Sequence, residues 1–133
     1  MSTGESPAAA MRAPAGPLAS AELFTLVWKG LVEVLGTAAT ATLIRRAATR
    51  VAATTPDLPS VVVHRHTVTY EFEVPAIWRR PDDARALHSL QTLLEELGLL
   101  LRELTGLVVI RRLQHIAPLQ DAGLSFGKEP HER

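Results

Sequence analysis

Residues 61–74 read VVVHRHTVTYEFEV, and the way this stretch folds decides the architecture of the chain. From Val68 the alternation is regular: Val68, Tyr70, Phe72 and Val74 are apolar, and Thr69, Glu71 and Glu73 are polar. A period of two marks a strand with one wet face. The stretch can run as one long strand, but a hairpin closed between Val63 and Val68 accommodates it better. Such a hairpin puts Val61, Val63, Val68, Tyr70, Phe72 and Val74 on one face. Val62, His64, Thr67, Thr69, Glu71 and Glu73 then share the other. The turn, His64-Arg65-His66-Thr67, lacks the Asn-Gly pair of the tightest hairpins. Two strands alone are marginal in water, so the apolar face demands a cover of helices.

The flanking sequence supplies them. Residues 18–35 predict a helix, with Ser20 as N-cap and Glu22 in the first turn. Its polar residues, Glu22, Thr25, Lys29 and Glu33, fall on one narrow stripe, and almost everything else is apolar. Gly36 ends it. A second helix follows over 38–53, rich in alanine and threonine, with Thr37 as N-cap and Arg45, Arg46 and Arg50 on its basic side. The prolines of TTPDLPS (54–60) mark a loop. Beyond the hairpin, Asp82 and Asp83 stand where a helix start favours acids. Leu87, Leu90, Leu94, Leu97, Leu101 and Leu104 then recur at alternating steps of three and four, a seam suited to helix packing. Gly98 interrupts that seam, and Thr105-Gly106 marks its end. Residues 107–116 read as a short helix, with a strand as the alternative because of Val108-Val109-Ile110. Pro118 is expected to end the regular structure.

These elements predict an α+β domain over 18–125, in the order α-α-β-β-α-α. A two-stranded antiparallel hairpin packs on the helices, and its sheet can be extended across a dimer. Residues 1–17 read as a disordered leader and 126–133 as a flexible tail. Both apolar stripes look wider than a small two-layer domain usually buries. That excess points to a homodimer whose interface includes Phe24, Val27, Trp28 and Leu31 of the first helix. Leu90, Leu94, Leu97 and Leu101 of the leucine seam complete it.

Composition narrows the chemistry. The chain has 133 residues, 14 basic and 14 acidic side chains, five histidines and no cysteine. The missing thiols exclude disulfides, a cysteine nucleophile and cysteine-based metal sites. Zero net charge argues against general nucleic-acid binding. The best membrane candidate, residues 23–44, contains Lys29 and Glu33 and is broken at Gly36. Each charge inside a span costs roughly 2.5–3.5 kcal/mol on the insertion scale, so no membrane anchor is expected. The Ala/Leu/Arg-rich usage suits a bacterial, cytoplasmic protein.

Motifs for catalysis are absent: the sequence contains no GxSxG, P-loop or GxGxxG. His64 and His66 form an HxH pair that a continuous strand would point to one side, the arrangement of two metal ligands, whereas in the hairpin they sit in the turn and need not converge. A third ligand would have to come from Glu71, Glu73, His88 or His115. Tyr70, Phe72 and His115 are candidates for lining an apolar ligand pocket. Arg45 and Arg46, with Arg111 and Arg112, are candidates for an anion surface. No cofactor is implied. The reading that follows is a small, non-enzymatic interaction or regulatory module that self-associates, with a protein partner as a further possibility. A sensor of a hydrophobic ligand or cofactor is the alternative, and a histidine-based metal enzyme comes third.

Overall fold

The computed structural model describes residues 18–66 and 69–127. The expected leader over 1–17, residues 128–133 of the expected tail, and Thr67 and Val68 of the hairpin lie outside that range. Within it the chain is a helix-rich α+β fold with a two-stranded antiparallel hairpin packed on helices. The elements are α1 (Ser20–Leu35), α2 (Thr37–Thr54), β1 (Val62–Arg65) and β2 (Tyr70–Glu73). A 3-10 turn (Ala76–Arg79), α3 (Ala84–Thr105), α4 (Val108–Gln114) and α5 (Ala117–Asp121) follow.

Local chemistry sets the helix ends. The cap of α1 is Ala19, not Ser20, which is the first helical residue and is buried. The Ala19 N–H donates to the Glu22 carboxylate at 2.9 Å, so an acid in the first turn does the capping. Likewise the cap of α2 is Gly36, and Thr37 is already helical. Gly36 has φ 88° and ψ 166°, a region essentially reserved for glycine. One residue therefore turns the chain from α1 into α2. Asp83 caps α3 as its position suggests, its carboxylate accepting from the Ala86 N–H at 2.9 Å.

The hairpin keeps the expected faces but closes further along. Val63 stands opposite Phe72 and Arg65 opposite Tyr70, and the His66 N–H donates to the Thr69 carbonyl at 2.8 Å. Pairing therefore continues through Arg65 and His66, inside the segment 64–67 expected as the turn. Val63 thus pairs four residues on from the partner expected, an even shift, so Val63, Tyr70 and Phe72 keep their common face. Val61 and Val63 are buried, and Tyr70, Phe72 and Val74 pack partly buried against the same core. Aromatic contacts fix the hairpin to α1. The Phe72 ring meets Phe24 edge-on at 4.9 Å and Trp28 at 5.0 Å between centroids.

The 3-10 turn is marked by no periodicity in the sequence. It drives Trp78, fully buried, between α1 and α3. Its indole N–H donates to the Ser89 hydroxyl at 2.6 Å, and Ser89 passes a hydrogen bond to the Ala86 carbonyl. The polar tip of the largest core side chain is thus satisfied inside the protein.

Helix α3 is the centre of the fold. It packs against α1, α2, α4 and the 3-10 turn. Leu90, Leu93, Leu94, Leu97, Leu100 and Leu101 are all essentially inaccessible. Burying each contributes roughly 1.5–3 kcal/mol. The alternative of a strand over 107–116 is settled as helix α4, with Val109, Ile110 and Leu113 buried. Pro118 does not end regular structure: it sits in the first turn of α5, where its missing N–H costs nothing.

Phe126 is also a correction. It was expected at the start of a tail, yet it is 2% exposed and belongs to the core. The backbone carbonyl of Phe126 lies against the missing side chain of Gly98, where a Cβ would collide with it. Gln91 holds the same segment, accepting from the Ser125 N–H at 2.9 Å. Gly98 therefore does not interrupt α3; it makes room for the returning chain. Helix propensity alone predicts that Gly98→Ala stabilises by about 1 kcal/mol. The structure predicts the opposite sign, a lower melting temperature in a thermal unfolding scan, because the 124–127 segment must be displaced.

Candidate functional site

The residues expected at a dimer interface are mostly core residues of one chain. Phe24, Val27, Leu31, Leu90, Leu94, Leu97 and Leu101 are fully buried without any second copy. Only Trp28 is partly accessible, and it leans on Phe24 and Phe72. The physical reason lies in the topology. A helix surrounded by three others and a 3-10 turn needs apolar residues over most of its circumference. The wide stripes reflect that central position, not an uncovered surface.

The outer face of the hairpin carries the HxH pair. His64 and His66 do project to one side, but each is matched by a carboxylate across the hairpin. His64 Nε2 lies 3.3 Å from Glu73 Oε1, and His66 Nε2 lies 3.2 Å from Glu71 Oε1. All four side chains are well exposed. Among the described residues, no group of three or more His, Asp or Glu side chains is placed to hold a metal ion.

Joining hairpins edge to edge meets two obstacles. The Val63 carbonyl, on the free edge of β1, already accepts from the Arg45 guanidinium at 3.4 Å. An antiparallel pairing through β2 would set Glu71 and Glu73 against the same residues of a second copy, where like charges are destabilising.

The other candidates are placed apart from one another. Tyr70 and Phe72 face the core, and Phe72 is occupied by aromatic contacts. His115 is exposed at the C-terminal end of α4, its Nδ1 2.7 Å from the Arg111 carbonyl. Arg45 and Arg46 line a shallow basic cleft with Thr49 and Arg50. Arg111 and Arg112 stand on α4 instead, and Arg112 reaches Glu33 at 3.8 Å.

A different surface draws attention. Where α1 ends, α2 begins and α3 ends, an open apolar cleft of about 500 Å³ is lined by Leu35, Ala38, Ala39, Thr42, Leu43 and Leu104, with Arg46 at its rim. Leu104 is 64% exposed, and Val108, four residues on, is 75% exposed. They are the most exposed of the large apolar side chains among the described residues. The sequence contained a signal for this place. Leu104 closes the leucine series one turn past Leu100 and Leu101, the last residues of that series to be buried. Periodicity alone could not separate it from its buried neighbours.

No family model, curated protein or solved structure matches the chain. The case for function therefore rests on this geometry.

Placing a carboxylate at a fully buried α1 position separates a core role from an interface role. Val27→Glu is expected to abolish the cooperative folded state in circular dichroism and thermal melting, because a buried unpaired charge cannot be accommodated. A folded, soluble monomer from this variant would restore the interface role of the first helix.

Proposed function

We propose that the chain is a small non-enzymatic interaction module that self-associates, and that it does so through the apolar cleft between the ends of α1 and α3 and the start of α2. The observation that carries this reading is Leu104. A leucine left 64% exposed beside exposed Ala38 and Ala39 is a large apolar side chain next to a shallow floor, and pairing such surfaces removes apolar area from water. A homodimer closes such a patch symmetrically.

Supporting features are of a coarser kind. No helix among the described residues is long and apolar enough to cross a membrane. The chain has no cysteine and no net charge. These fit a bacterial cytoplasmic module without nucleic-acid affinity. The ligand-sensor reading draws less support, because Phe72, its main candidate, is packed against Phe24 and Trp28. The metal-enzyme reading draws less still, since its two histidines face carboxylates in solvent.

The test is native mass spectrometry of the untagged full chain beside Leu104→Glu. The expected result is a wild-type dimer and a folded Leu104→Glu monomer with unchanged helical circular dichroism, because the side chain is exposed. A wild-type monomer, or an unaltered dimer in the variant, would overturn the proposal.

A further inference from the structure

The seam between α2 and α3 has a charge pattern that identifies what covers the cleft. The two helices run antiparallel. Arg50 on α2 reaches Glu96 on α3 at 3.7 Å, whereas the start of α2 (Ala38, Ala39) meets the end of α3 (Leu104, Thr105) around the cleft. Arg46 lies one turn before Arg50, so the α2 side of the seam is basic. Glu103 lies two turns after Glu96, which returns it to the same side of α3, so the α3 side is acidic. Arg46 and Glu103 are both exposed, and neither takes part in an ion pair among the described residues.

A patch that is basic along one edge, acidic along the other and apolar between them is complementary to itself. A two-fold axis running along the seam turns α2 of one copy over α3 of the other. Leu104 of each copy then lies on the low floor formed by Ala38, Ala39 and Thr42 of the other. We infer that the occupant of the cleft is a second copy of this chain, docked about that axis, with Arg46 of each copy opposite Glu103 of the other. This inference rests on the self-association proposed above and adds the orientation and the residues that specify it. It also accounts for Arg46 and Glu103, which stand exposed on opposite sides of the seam without an ion pair among the described residues. Such charges favour one docking orientation and disfavour others.

Charge reversal in two separate preparations tests it. Arg46→Glu and Glu103→Arg are surface changes, so both variants should fold with wild-type circular dichroism. Each alone sets like charges against each other at two symmetric contacts and should weaken homodimerisation about tenfold or more. Mixed together, the variants should form a heterodimer in native mass spectrometry, since both contacts in the mixed pair are again opposite in charge. An ion pair within one chain cannot produce that preference. If Leu104→Glu dissociates the dimer but the mixed variants show no preference for each other, the cleft is the interface and the orientation inferred here is wrong. If the wild-type chain is monomeric at every concentration, the self-association reading fails with it, and the cleft belongs to another protein or to an apolar ligand.

Discussion

Everything in this fold depends on enclosing one helix. The leucines of α3 occupy most of its circumference, and the rest of the chain is arranged to keep water from them. The α1 and α2 helices cover two sides, α4 covers another, and Trp78 and Phe126 fill the remaining approaches. Two small residues make the enclosure close. Gly98 admits the backbone of Phe126, and Gly30 on α1 leaves space that the Leu113 side chain occupies. The hairpin has a subordinate role. It closes the side of α1 and α2 that the other helices leave open, and it does so through Val63, Phe72 and their aromatic neighbours.

The same enclosure explains where the exposed apolar surface lies. Helix α3 is longer than the layer that wraps it, so its last turn emerges from the core. Leu104 belongs to the leucine series by its spacing, but no element covers it. Ala38 and Ala39, in the first turn of α2, leave a shallow floor beside it. The candidate interface is thus a consequence of a mismatch in helix length, bordered by the charges that decorate the α2–α3 seam. That origin favours a small, reversible interface over a large obligate one.

The sequence made much of this legible, and the failures are instructive. Alternation in 68–74 specified which hairpin residues face inward, because face depends only on parity. It could not specify where the turn falls, since closing the hairpin two residues later preserves every face. Helix existence followed from periodicity, whereas the caps at Ala19 and Gly36 depended on which neighbour could reach a free N–H. The width of the apolar stripes was real information with two explanations. A stripe wide enough for self-association is also what a central helix requires, and sequence alone has no measure of how many elements fold back onto it. Trp78 and Phe126 are among the groups that fold back onto these helices. Both are isolated aromatics in stretches without periodicity, so nothing local announced that they are buried. Among the candidate site residues, His64 and His66 share a side because the strands still pair at His66, which a turn over 64–67 does not imply. Their carboxylate partners, Glu73 and Glu71, became visible only with the true register.

The most direct test of this account is an isotope-filtered nuclear Overhauser experiment on a mixture of methyl-labelled and unlabelled full-length chain. Such a spectrum reports only contacts that cross between copies. The account predicts cross-peaks from the Leu104 methyls to the Ala38 and Ala39 methyls, and none from Val27, Leu31, Leu94 or Leu97. Intermolecular contacts from those core residues would contradict it, because they would mean that the leucine-rich helices are enclosed by a second chain and not by their own.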